Sequence, residues 1–536
     1  MVISCVVSFV TMRVQPESKV EAYKKFLRAQ GEKLDIAELI PAPVPAASNS
    51  VDAVRGAFAM FGSGNVKIPD AMKMIAPGKA MIGWKQPEAV GSDFTNTWED
   101  FAADIAANQP AIDLLHQVME RPKLDFQLDY QKNFDLPLPH LMQMKKASQK
   151  LAATAIFNLH GGDTGAATTN ILTLLALVQK NEAEGVLISD LVRIAMTAIA
   201  EVPTWDLLQI TNVTEAQLTA LQKGWEQLDF IGGATNVFAL ERAWGIDTIE
   251  KARSSHEGYE KIFGLVSSMG MAATPTGSSW GWPPDWEAIT EKPRYAVAEI
   301  MWRSSWSYTD ELRTLKTEQI ILEALRLMQT KRNEFYKADY DEMVKKLSSL
   351  GIANAGGVFF RALKIPDMSG MFGDWGLSSS VLKILRTETV CRIAATAIAL
   401  KRFQLQHGQW PELLNELVPE FIVSIPIDPY DGKPLKYHPN TDGTYLLYSV
   451  AENGVDDGGS PTLPSESKGM YWQYQKAHDW VWPQPATAEE IKAYYDAETA
   501  KAAAESATEA PAMTGTPVDP ATGLPLPPPP VPAGTN

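Results

Sequence analysis

Between Thr97 and about residue 350 the apolar positions return every three or four residues, the period of an amphipathic helix rather than the alternation of a strand. The first such stripe begins at Thr97 in FAADIAANQPAIDLLHQVMERP, and Pro122 lies just past its end. MKKASQKLAATAIFNLHGGDTGAATTNILTLLALVQKNEAEG then reads as an αα-hairpin, with Gly161 and Gly162 offering a left-handed stop and Asp163 or Thr164 the next N-cap. VLISDLVRIAMTAIAEV is almost wholly apolar and is expected to be a central helix. Thr214 opens a capping box with Gln217, and further helices follow in ATNVFALERAWGIDTIEKAR and in the long run from Trp306 to Leu347. These units recur at roughly 35–45 residues, a spacing shared by an irregular helical bundle and by a stacked array of helical hairpins; no consensus repeats.

The pattern changes at both ends. A first helix is expected from Lys19 to Lys33; IPAPVPAASNSV, with prolines at 41, 43 and 45, cannot continue it, and the chain is mixed and turn-rich to about residue 90. The helical signal also collapses in SSMGMAATPTGSSWGWPPDW, a Gly/Ser/Pro/Trp loop suited to a lid or a binding rim, and again in PDMSGMFGDWG. From Arg386 a helical run is expected to end at a glycine, followed by a short helix, two strands and an oxygen-rich loop. Thr487 and Glu490 form a second capping box, and TGTPVDPATGLPLPPPPVPAGTN is expected to be disordered or polyproline II. The predicted fold class is mainly α, as helical hairpins or an irregular bundle, with a small C-terminal α+β module and a disordered Pro-rich tail. The expected divisions are 1–96, 97–375, 376–485, 486–508 and 509–536.

A chain of 536 residues with 45% hydrophobic content can bury sizeable cores. Its net charge of −16, without a basic run, argues against nucleic acid as a partner and leaves protein partners as the expectation. Only Cys5 and Cys391 are present, too few for a disulfide framework or a cysteine zinc site. MVISCVVSFVTMR is apolar for about a dozen positions, short of the roughly 20 needed to span a bilayer. It reads as a buried N-terminal strand or helix, as the end of a membrane anchor, or as an atypical signal peptide; its run into RVQPESKVEAYKKFLRAQGEKL resembles a juxtamembrane helix, so the expectation leans toward the cell envelope.

The loop AENGVDDGG offers Glu452, Asn453, Asp456 and Asp457, with glycines that let the backbone turn sharply and present carbonyls. Hard cations such as Ca²⁺ take oxygen ligands of these kinds, whereas the loop lacks the acid spacing of an EF-hand; the plain alternative is a solvated acidic turn. The segment LQHGQWPELLNELVPEFIVSIPIDPYDGKPLKYHPNTDGTYLLYSVAENGVDDGG resembles the globular domain of type II secretion major pseudopilins. His407, Gly408, Trp410 and Pro411 match that family's turn before a short helix, and Asp428, Pro429, Gly432 and Pro434 match its DPWG-x-P segment with one residue inserted. Tyr448, Ser449, Asn453, Gly454, Gly458 and Gly459 match its last strand and loop. The resemblance implies calcium at that loop, held by Asn453, Asp456 and Asp457 with Asp479 of HDWVW as a later ligand. Asn453 stands where the family has an aspartate, and the family's peptidase site and long apolar helix are missing before Arg386. GEKLDIAELIPAPVP and AENGVDDGG together also resemble large envelope proteins of planctomycete and verrucomicrobial type.

No catalytic signature stands out. The histidines at 116, 140, 160, 256, 407, 438 and 478 form neither H-E-x-x-H nor H-x-H, and no G-x-S-x-G elbow, phosphate loop or dinucleotide fingerprint is present. His160 reads as a partner of a helix C-terminus. Trp280, Trp282 and Trp286, with Asp285 and Glu287, have the aromatic-plus-carboxylate composition of a glycan site, as an alternative to loop anchoring; Trp472, Trp480 and Trp482 form a second cluster. The expectation is a non-enzymatic structural or interaction protein of the cell envelope with a calcium-stabilised module. Its alternative is a glycan-acting or glycan-binding protein.

Overall fold

Helix α1 (Val2–Ala29) stops where the backbone turns left-handed at Gly31, φ 85°. The Glu32 amide reaches back to Leu27 O at 3.1 Å and the Gly31 amide to Arg28 O at 3.0 Å, the paired bonds of a Schellman stop. The helix is thus longer at its start than the expected 19–33 and ends sooner, because the glycine decides the end. The computed structural model describes residues 2–62, 64–76, 78–268, 299–331, 336–350, 374–459 and 479–509. The Trp280–Glu287 segment, Trp472, nearly all of PDMSGMFGDWG and the Pro-rich tail lie outside them.

After α2 (Val51–Met60) come two short hairpins, β1 (Lys73–Ala76) with β2 (Lys79–Met81) and β3 (Ala89–Gly91) with β4 (Phe94–Asn96). Strands this short carry no readable alternation, so the region looked only turn-rich. Helix α3 (Trp98–His116) is capped by Thr97, whose hydroxyl accepts from the Asp100 amide at 3.0 Å. Helices α4 (Pro139–His160) and α5 (Thr164–Asn181) form the expected hairpin. Gly162 supplies the left-handed turn, φ 77°, and Asp163 the cap, accepting from the Ala166 amide at 2.9 Å.

Helix α6 (Leu187–Leu208) buries nearly every residue of its second half, as its apolar run requires. Helix α7 (Glu215–Glu226) keeps the Thr214–Gln217 capping box, and α8 (Phe230–Ser254), α9 (His256–Ser268), α10 (Ser307–Thr330) and α11 (Lys337–Ser349) follow. The long α12 (Asp374–His407) returns to lie on α6, α7 and α8. That return separates the architecture from a stacked array, in which each repeat touches only its neighbours. The bundle is irregular.

Helix α12 ends at Gly408, φ 75°, as expected, and a single helical turn (Leu414–Leu417) leads to the antiparallel sheet of β5 (Lys436–Pro439), β6 (Tyr445–Ser449) and β7 (Trp480–Trp482). The final β8 (Gln484–Pro485) pairs in parallel with β2, and the Trp205 indole of α6 donates to Pro483 O at 2.8 Å. One continuous apolar core runs from Val51 to Trp482, so residues 376–485 share a compact unit, Met1–Pro485, with the helical hairpins. Ala486–Asn536 forms a second unit, where α13 (Ala488–Glu509) opens with the Thr487–Glu490 capping box. The chain is mainly helical with a few small sheets. Among the described residues no helix is long and apolar enough to cross a membrane.

Buried charge in this body is compensated to different degrees. Glu32, just past the α1 stop, accepts from Arg242 at 2.7 Å, from Arg326 and from Gln319 at 3.1 Å. Burial raises its pKa, but these donors outweigh burial and hold it at about 2. Asp206 has weaker compensation: it accepts from the Gly83 and Trp84 amides at 3.0 and 3.3 Å, tying the β1–β2 region to α6, and burial still pushes it up to about 7.

Candidate functional site

The chain leaves β6 through Val450 and enters the acidic loop with Ala451 at φ 53°, a left-handed conformation that is uncommon for a residue with a Cβ. Gly454, Gly458 and Gly459 continue the turn at φ 65°, 74° and 72°. At Gly459 space is also limiting, since a Cβ would stand 2.6 Å from the Leu446 side chain. Left-handed residues in close succession expose backbone carbonyls and amides on a tight curve, which is why the glycines recur here.

Under the start of this loop sits Asp428, fully buried. Its Oδ1 accepts from the Tyr430 amide at 3.0 Å and the Ser449 hydroxyl at 2.9 Å, and its Oδ2 accepts from the Val450 amide at 2.8 Å. Burial raises its pKa, the three donors and the nearby Asp431 charge set how far, and the result is about 6. The same turn is tied to the helical body, because Pro429 O accepts from the Tyr336 and Lys337 amides at 3.0 and 2.9 Å. Asp428 is therefore a clamp that fixes where β6 ends and the loop begins. The sequence alone does not show this role, since two of its partners lie more than twenty residues away.

Within the loop, Asp456 accepts from the Tyr448 hydroxyl at 2.9 Å and the Gly458 amide at 3.0 Å. Burial raises its pKa, but these bonds and the Lys436 and Lys433 charges together outweigh it and leave the carboxyl below the usual carboxylate value. Asn453 accepts from the Val455 amide at 3.0 Å and donates to Asp457 Oδ2 at 3.1 Å. Asp479, which precedes β7, arrives from the far side of the hairpin, where its Oδ2 accepts from the Gly459 amide at 2.7 Å. Its carboxylate is 2% exposed, and Oδ1 accepts no hydrogen bond among the described residues. Burial raises its pKa; the Gly459 and Asp457 amides pull it down and the Asp457 and Asp456 charges push it up.

Asn453, Asp456, Asp457 and Asp479 are thus gathered around one turn, whereas Glu452 faces away into an ion pair with Arg386. Among the described residues no three acidic, His or Cys side chains converge into a ready cation cage. The donor types nevertheless suit a hard cation: carboxylate oxygens on Asp456, Asp457 and Asp479, an amide oxygen on Asn453, and carbonyls on a glycine-rich curve. An ion there would offset the repulsion between Asp479 and its acidic neighbours and engage the orphaned Oδ1.

The other expectations fall on different ground. Trp480 and Trp482 are buried in β7, in the anchoring role. His160, at the end of α4, bonds through Nδ1 to Trp84 O at 2.9 Å and stacks on Trp98 with ring centres 4.0 Å apart. The glycan reading rests on Trp280–Glu287, outside the described residues. Compared with protein families, curated proteins and solved structures, the chain matches none.

Proposed function

We propose that the protein is a non-enzymatic structural or interaction component of the cell envelope, whose segment 376–485 is a pseudopilin-like module closed by one Ca²⁺ at Asn453, Asp456, Asp457 and Asp479. One observation carries the reading: Asp479 is delivered from beside a separate strand to the acidic loop and kept buried, with one oxygen that has no hydrogen-bond partner among the described residues, a costly arrangement for a side chain with no ligand. The ion would tie the β6–β7 loop to β7, and thereby to the sheet. Its role is structural, and the helical surface is left for protein partners.

The test is a thermal melt of the full chain with calcium and with chelator, because the module shares its core with the helical body. Calcium at about a hundredfold excess over Kd adds about 2.7 kcal/mol. For a unit of this size that is a rise of a few degrees, and Asp457→Ala or Asp479→Asn is expected to abolish it. Identical melts in calcium and chelator would leave the loop as a solvated acidic turn.

A further inference from the structure

Between the C-terminal end of α6 and the edge of the β5–β6–β7 sheet lies a cleft of about 150 Å³. That is below the roughly 300–1,000 Å³ of a drug-sized pocket and limits an occupant to a single small ring with its substituent. Trp410 and Tyr445 form an aromatic corner on one wall, ring centres 4.7 Å apart and planes at 64°, with Trp482 also lining the cleft. Their surroundings are pinned. The Trp410 indole donates to Gly443 O at 2.8 Å, the Gln209 amide to Trp205 O at 2.9 Å and the Gln484 amide to Tyr445 O at 3.3 Å.

Lys401, reaching in from α12, is the exception. It is half-buried, no Asp or Glu lines the cleft, and among the described residues nothing accepts from its ammonium. Burial, with no anion to oppose it, lowers its pKa. Its neighbour in sequence, Arg402, is by contrast engaged with Glu215 and Gln222. A cation held in an aromatic-walled cleft without a counter-charge selects for an anion supplied from outside.

We propose that this cleft binds a small ring-bearing carboxylate, its ring face against the Trp410–Tyr445 corner and its carboxylate on Lys401. Both acidic sugars and aromatic acids have this chemistry, since each joins a flat apolar face to a carboxylate. The site is independent of the acidic loop and stands whether or not calcium binds there.

The experiment is calorimetric titration of the full chain with two acids, glucuronate and phenylacetate, each beside its uncharged amide, glucuronamide and phenylacetamide. The expected result is that one acid binds at least tenfold more tightly than its amide, which also tells sugar from aromatic ring. Lys401→Met should erase that preference while Lys401→Arg retains it, with the melting temperature of each variant confirming the fold. No binding by either acid at millimolar concentration, equal binding of acid and amide, or a preference that survives Lys401→Met would overturn the proposal.

Discussion

Two aspartates flank the β6–β7 connection, both buried and both with carboxyl groups pushed upward by burial, yet they are in opposite states. Asp428 has both oxygens engaged by three donors, and the segments it joins cannot separate without leaving buried donors unsatisfied. Asp479 accepts through Oδ2 from the Gly459 amide, with the Asp457 amide close by, while among the described residues its Oδ1 has no hydrogen-bond partner. The contrast shows how burial alone fails to distinguish a carboxylate whose hydrogen bonds are complete from one that could still take a ligand. What distinguishes them is whether the hydrogen-bond inventory closes.

The largest expected effect follows from the closed one. Asp428→Ala strands the Tyr430 and Val450 amides and the Ser449 hydroxyl, and buried donors left unpaired cost about 1–3 kcal/mol each, less whatever relaxation admits water. A loss of about 3–5 kcal/mol is expected by chemical denaturation, equal in calcium and in chelator. If calcium rescued a substantial part of that loss, the clamp and the loop would have to be a single site.

The pH dependence comes next. Asp428 has its folded pKa at about 6 against an ordinary 3.8, so between those values the native state holds a proton that the unfolded chain has released. Stability from this group is therefore complete below about pH 4 and falls as pH rises to about 6, by about 3 kcal/mol at 1.36 kcal/mol per pH unit. Asp206 and Glu241, both pushed to about 7 by burial, slope the same way to slightly higher pH. Glu32, held at about 2, acts oppositely and only in more acid solution. Denaturation midpoints from pH 4 to 7 in chelator should thus decline, and Asp428→Asn should remove the part between 4 and 6. The increment from calcium should instead grow with pH, because the ion needs its carboxylates charged. Parallel curves with and without calcium would erase the distinction between the two aspartates.

These contrasts also mark what could be read from the sequence. The stops at Gly162 and Gly408 and the capping boxes at Thr214–Gln217 and Thr487–Glu490 were legible because donor and acceptor lie within a turn of each other. The pairing of β2 with β8 was not: it joins Lys79 and Ala80 to Gln484 and Pro485, and strands of two or three residues have no period to detect. That Asn453, Asp456 and Asp457 share one turn follows from their proximity in sequence, whereas the approach of Asp479 to that turn is suggested only by the resemblance to pseudopilins. Glu452 was indistinguishable from them until the fold set Arg386 beside it. Nor does the run Lys401-Arg402-Phe403 reveal which of two adjacent cations meets a carboxylate. Helix geometry turns one toward Glu215 and the other into the cleft.

Glu452 provides the smallest and most discriminating prediction. Its ion pair with Arg386 is partly enclosed, the side chains 14% and 18% exposed, so it falls near the upper end of the 0.2–1 kcal/mol measured for surface pairs. Glu452→Gln keeps the shape and one hydrogen bond to the guanidinium, and about 0.5 kcal/mol of destabilisation is expected in chelator. In calcium the cost should be the same, because the carboxylate points away from the turn that collects Asp457 and Asp479. A calcium increment reduced by Glu452→Gln as much as by Asp479→Asn would mean that the Arg386 pair opens to release a ligand. The division between engaged and open carboxylates would then have to be redrawn around Glu452 as well.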